Sequence, residues 1–159
     1  MELKSTSLIR FSPYPMKRWK ISTSLFLKNK SLALGFNNGT FIICDNSFHV
    51  KTYQKIFDIP ITSIFEHFFK IHTISISTEH FIAVINLFTY ECLGIIYSPN
   101  IKEIVHLTKA RIVIIKTKVI EVWYLHNFQI IGKYETQEFF TSGAKIFGSQ
   151  IIFEECESK

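Results

Sequence analysis

Two stretches of the chain repeat one another at long range. Leu32-Ala33-Leu34-Gly35-Phe36 followed by Thr40-Phe41-Ile42-Ile43-Cys44-Asp45 has the pattern of Arg111-Ile112-Val113-Ile114-Ile115 followed by Val119-Ile120-Glu121-Val122-Trp123-Tyr124. Each reads as a pair of apolar strands around a short turn. Aligning Cys44-Asp45 with Trp123-Tyr124 gives an offset of 79 residues, twice the roughly 40-residue unit of a four-stranded propeller blade. Glu79 to Tyr97 supplies the last two strands of a blade between them: Phe81 to Asn86, then Cys92 to Tyr97. A repeat on this scale confines the chain to stacked, four-stranded units.

Composition agrees with that class. The 159 residues are 47% hydrophobic and 15% aromatic, enough for a buried core, and Phe, Ile, Thr, Tyr and Val favour pleated strands. The expected fold is all-β: a partial WD40-like β-propeller of about three four-stranded blades plus the start of a fourth. Residues 1–22 read as a basic leader, 23–57 as blade 1, 58–99 as blade 2, 100–136 as blade 3, and 137–159 as a partial blade 4 with an acidic tail. In blade 1 the strands run Ser24 to Lys28, Leu32 to Phe36, Thr40 to Cys44 and Val50 to Lys55. Blade 2 has Ile61 to Glu66, Lys70 to Ser75, Phe81 to Asn86 and Cys92 to Tyr97. Blade 3 has Lys102 to Leu107, Arg111 to Lys116, Val119 to Tyr124 and Gln129 to Glu135, and Gln150 to Phe153 is one further strand. Asn37-Asn38-Gly39 is the strongest hairpin signal, because Asn and Gly tolerate positive φ. The unbroken Ile112-Val113-Ile114-Ile115 demands burial on both faces.

The chemistry-bearing residues form no catalytic pattern. The six histidines (His49, His67, His72, His80, His106, His126) lack metal-ligand spacing, and adjacent strand residues such as Glu66-His67 point to opposite faces. There is no phosphate-binding glycine loop and no nucleophile elbow. Cys92, beside Leu93 and Ile95, reads as an inert buried thiol. No enzyme activity, cofactor or metal is expected. Three cysteines without C-x-x-C spacing fit a reducing, cytoplasmic setting, so the sequons Asn29-Lys30-Ser31 and Asn38-Gly39-Thr40 read as turns. No signal peptide precedes the blades and no apolar stretch reaches a spanning length. The net charge of +5 is dispersed, which argues against a nucleic-acid partner. Its densest run includes Lys17, Arg18 and Lys20, the residues expected to touch a membrane surface peripherally.

Leu34-Gly35-Phe36-Asn37-Asn38-Gly39 through Phe48 resembles the first-blade pattern of the PROPPIN (WIPI-type) propellers. Tyr90 to Ser98, Ile101 to Leu107, Ala110 to Ile114, Val119 to Tyr124 and Ile130 to Thr136 resemble that family's second-to-third blade stretch. The absence of a Gly-His dipeptide upstream of Trp123-Tyr124 separates the chain from a generic WD repeat. The resemblance implies a scaffold of autophagy or membrane trafficking with protein partners, autophagy components among them. Family members bind phosphoinositides through a Phe/Leu-Arg-Arg-Gly motif in later blades. Arg10, Arg18 and Arg111 are the chain's only arginines and no two are adjacent, so that function is carried over to no residue here. The partner surface implied by the resemblance includes Arg111, with Lys109 and Lys102 near it, as a basic groove for an acidic peptide.

Seven blades need roughly 280 residues at about 40 each, so the chain is expected to hold about half a ring. Two exposed blade faces then favour closure by a second copy or a hetero-assembly. The alternative role is a structural WD-like subunit whose open edges are covered by a larger assembly.

Overall fold

The computed structural model describes residues 19–67, 72–107 and 110–135, together with the backbone of 145–147 and 150–152. Among these residues every regular element is a β-strand. The first sheet is a meander of β1 (Ile21–Phe26), β2 (Leu32–Phe36), β3 (Thr40–Cys44) and β4 (Val50–Lys55). A second sheet joins β5 (Ser63–Glu66), β6 (Thr73–Ser77), β7 (Phe81–Asn86) and β8 (Cys92–Tyr97), and a third joins β9 (Glu103–His106), β10 (Arg111–Ile115), β11 (Val119–Tyr124) and β12 (Gln129–Glu135). All ladders are antiparallel, and a two-stranded sheet of β13 (Lys145–Phe147) and β14 (Gln150–Ile152) follows. β1 starts at Ile21, inside the expected leader, and β6 starts at Thr73 rather than Lys70. β13 has no counterpart in the sequence reading.

The turns are set by local chemistry. Between β2 and β3, Gly39 has φ of 81° and donates to the Phe36 carbonyl at 3.1 Å, while Asn38 Oδ1 accepts from Thr40 N at 3.0 Å. Only glycine fits: a Cβ there would lie 2.0 Å from the Phe57 carbonyl oxygen. Both sequons are turns, and in the first Asn29 Oδ1 accepts from Ser31 N at 3.0 Å.

Strand periodicity sorts the core into seams. Ala33, Phe41 and Ile43 of the first sheet pack with Ile64, Ile74, Ile76, Ala83 and Ile85 of the second. The alternate residues of the second sheet, Ile82, Val84 and Ile96, pack with Ile112 and Ile114 of the third. Val113 and Ile115 form a further cluster on the other face of β10, so both faces of that strand are buried, as its unbroken apolar run requires.

The expectation of two exposed blade faces is corrected. Leu34, Phe36, Ile42 and Cys44 on the outward face of the first sheet are all buried. Trp19 lies against that face, its ring stacked on Tyr53 at 5.8 Å and edge-on to Phe36 at 6.0 Å. On the far face of the third sheet Val105, Val113, Ile115 and Ile120 are buried as well. Aromatic area supplied by Trp19 does locally what a neighbouring blade does elsewhere.

Candidate functional site

Among the described residues β8 and β12 each pair on one side only, with β7 and β11. As outer strands they expose Ile95, Tyr97, Ile130, Ile131 and Tyr134, with Tyr97 at 63% and Tyr134 at 61%. An edge strand that is also apolar is a surface suited to association.

Cys92 lies on this rim and is exposed, which corrects the reading of an inert buried thiol. The apolar run Leu93-Gly94-Ile95-Ile96 misled because an outer strand buries only part of one face, and here Ile96 alone of the strand is buried. Cys44, by contrast, is buried, and burial foremost, with the Asp45 charge, pushes its thiol pKa up. A maleimide added to the native protein at neutral pH is expected to label Cys92 at least about tenfold faster than Cys44. Equal rates measured by peptide mapping would contradict the assigned exposures.

Of the basic candidates, Arg111 and Lys102 lie at opposite ends of β10. Arg111 opens β10 and is half-buried, its Nε enclosed with no hydrogen-bond partner among the described residues. Lys102 is exposed and its backbone N–H donates to Ile115 O at the opposite end of β10, so the two backbones are about 13 Å apart along the strand. Lys109 lies outside the described residues, as do Lys17 and Arg18. Lys20 is exposed, and its backbone is held by Asn37 through Lys20 N to Asn37 Oδ1 at 3.0 Å and Asn37 N to Lys20 O at 2.9 Å.

Two constellations went unrecognised in the sequence. Glu121 is buried and binds three groups: Lys116 Nζ at 2.6 Å, Ser98 Oγ at 2.8 Å and Trp123 Nε1 at 3.0 Å. Ser98 follows β8, so the carboxylate ties the exit of the second sheet to the third. Burial alone raises the Glu121 pKa, but the hydrogen bonds from Lys116, Ser98 and Trp123 and the Lys116 charge outweigh it, and the net shift is downward. The signal was one carboxylate inside the apolar run Val119-Ile120-Glu121-Val122. Glu121→Gln is expected to cost about 1–3 kcal/mol, because Lys116 is left enclosed without its counter-charge. A urea midpoint at pH 7 unchanged from the parent would refute this. The stabilisation is present above the ordinary Glu range and is lost as pH falls through the lowered folded value.

The second constellation lies at the seam of the second and third sheets. Phe65 stacks on His106 with centroids 3.5 Å apart, and the buried His67 ring lies 5.4 Å from His106. His67 also lines a cavity of about 210 Å³ with Thr73, Val84, Leu93, Leu125, His126 and Phe128. No spacing rule links these histidines, because the contact is made across two blades.

No family model matches the chain, and no curated protein matches it. Solved structures do. A chain of the mitotic checkpoint complex superposes with a TM-score of 0.64 at 11% identity, covering 77% of this chain and 39% of that one. The WD40 domain of Pan2 from Neurospora crassa superposes at 0.66 with 13% identity, covering 80% and 43%. The chain thus spans about two-fifths of the length of the structures it matches. At such identities the likeness establishes architecture, and the architecture is that of a WD40-like β-propeller.

Proposed function

We propose that the chain is a non-catalytic, PROPPIN-like propeller scaffold that binds protein partners in autophagy or membrane trafficking. The observation that carries the scaffold reading is the exposed apolar rim of β8 and β12 on a WD40-like fold. The autophagy assignment rests on the ordered resemblance from about Thr23 to Thr136. Phosphoinositide recognition is not part of the proposal, since no two arginines are adjacent. Attachment through Lys17, Arg18 and Lys20 would be electrostatic and salt-sensitive.

Proximity labelling in cells, with the parent and an Ile95→Lys, Tyr134→Lys variant side by side, tests the reading. Autophagy or trafficking proteins labelled by the parent and lost with the variant are expected. A parental set without such proteins, or one the variant leaves unchanged, would sink it. Flotation with phosphatidylinositol 3-phosphate liposomes is expected to show no headgroup-specific binding.

A further inference from the structure

The turn between β2 and β3 contains Asn38 followed by Gly39. An asparagine side chain in front of glycine is open to attack by the next backbone nitrogen, because glycine has no Cβ to obstruct the approach. The reaction needs no enzyme. Gly39 N gives up its proton to base and bonds to Asn38 Cγ, the Cγ–Nδ2 bond breaks, and Nδ2 takes up a proton and leaves as ammonia. Water then opens the five-membered succinimide. If the new bond from Gly39 N to Cγ is cleaved, an aspartyl chain results. If the bond from Gly39 N to the main-chain carbonyl carbon is cleaved instead, the product is isoaspartyl, with one extra methylene in the main chain.

The folded turn holds both reacting groups away from this course. Gly39 is buried and its N–H donates to Phe36 O at 3.1 Å, so the nucleophile is engaged and shielded from base. Asn38 Oδ1 accepts from Thr40 N at 3.0 Å, which fixes the side chain that would have to swing onto Gly39 N. The turn is also tied to the link between β4 and β5: Gly39 O accepts from Ile56 N at 3.2 Å and Phe57 N at 3.3 Å, and Phe36 O accepts from Ile61 N at 3.1 Å. Releasing Gly39 N therefore disturbs the contact of the first blade with the strand that leads to the second.

The two products differ in whether they fit this turn. An aspartyl side chain still offers an oxygen to Thr40 N. The isoaspartyl chain must place an extra methylene beside Gly39, where even a Cβ would lie 2.0 Å from Phe57 O and 2.8 Å from Ile59 O.

We propose that Asn38-Gly39 is a self-modifying site gated by the fold: the closed turn keeps Asn38 intact, an opened first blade loses ammonia there, and the isoaspartyl product cannot close the turn again. The chain then carries a covalent record of having opened. Ring formation is slow beside the opening and closing of a turn, so the rate in the folded protein follows the population of the open form. This inference does not rest on the trafficking role proposed above.

The whole chain held at pH 8, folded and in guanidinium chloride, tests it when conversion at Asn38 is followed by peptide mapping and mass spectrometry. Asn38 is expected to convert at least about tenfold more slowly in the folded protein. Phe41→Ala loosens the strand that follows the turn and leaves Asn38-Gly39 in place, so it is expected to convert at least about tenfold faster than the parent in the folded state. When the denaturant is removed from aged chains, the aspartyl product should regain the circular dichroism of the parent, as should an Asn38→Asp variant. The isoaspartyl product should collect in the fraction that does not refold. Equal rates with and without denaturant, a Phe41→Ala rate equal to that of the parent, or isoaspartyl chains that refold as completely as aspartyl ones would overturn the proposal. Should Phe41→Ala fail to fold, the comparison of folded and denatured parent decides.

Discussion

Between pH 6.5 and pH 5 the protein is expected to lose about 2 kcal/mol of stability through His106 alone. Burial first, and the neighbouring His67 second, hold the His106 pKa down to about 3. Its ring is stacked on Phe65 and its Nδ1 is enclosed without a hydrogen-bond partner among the described residues. A proton added there would be desolvated at the seam of two blades. The unfolded chain takes up this proton near pH 6.5 and the folded chain refuses it. Stability is therefore complete above pH 6.5 and falls by about 1.4 kcal/mol per unit as pH drops toward 3. The whole window amounts to about 5 kcal/mol, comparable with the net stability of a small domain. Urea unfolding at pH 7, 6 and 5 checks the slope, in a range where the lowered Glu121 carboxyl stays ionised in the folded state. His106→Phe keeps a ring on Phe65 and removes the titration, so its stability should vary less across those points by the same 2 kcal/mol. An identical slope in the variant would remove His106 as the cause.

Phe41→Ala is expected to destabilise the protein by about 3–5 kcal/mol. Phe41 is completely buried and belongs to the cluster that includes Ile43, Phe57, Ile61 and Ile64, between the first and second sheets. β3 is a central strand with all five residues buried, so the vacated volume has no easy way to collapse. The cut separates two blades as well as weakening one, and a lower denaturant slope would accompany the lost midpoint if the blades then unfold separately. Ile131→Ala, at 54% exposure on β12, is the control and should stay within about 0.5 kcal/mol. A Phe41→Ala cost below about 1 kcal/mol would contradict the packing described.

Local patterns in the sequence were enough for most of the ladder. Asn37-Asn38-Gly39 placed a hairpin because positive φ is cheap only for such residues, and Gly39 occupies that region. Ile112-Val113-Ile114-Ile115 signalled a strand buried on both faces, and the strand is buried so. Boundaries were less legible where polar residues continue a strand, as at Ile21 and Ser77, since a ladder ends when its partner ends. Cys92 was misjudged because an outer strand leaves even its apolar residues exposed, Leu93 and Ile95 among them. The site was hardly legible at all. The seam of Phe65, His67 and His106 spans some forty positions, and the Ser98–Glu121 hydrogen bond joins two blades.

The sequence by itself determined the class, the blade repeat and most strand limits, because turn preference and side-chain alternation act over a few residues and are written into them. The tertiary structure decided which faces are covered and which groups meet. It laid Trp19 on the first blade, separated Arg111 from Lys102, lowered the His106 pKa, and seated Phe128 on Gly94. Each of these depends on how one blade packs against the next, and contacts across a seam follow from the stacking angle of whole sheets rather than from any short run of residues.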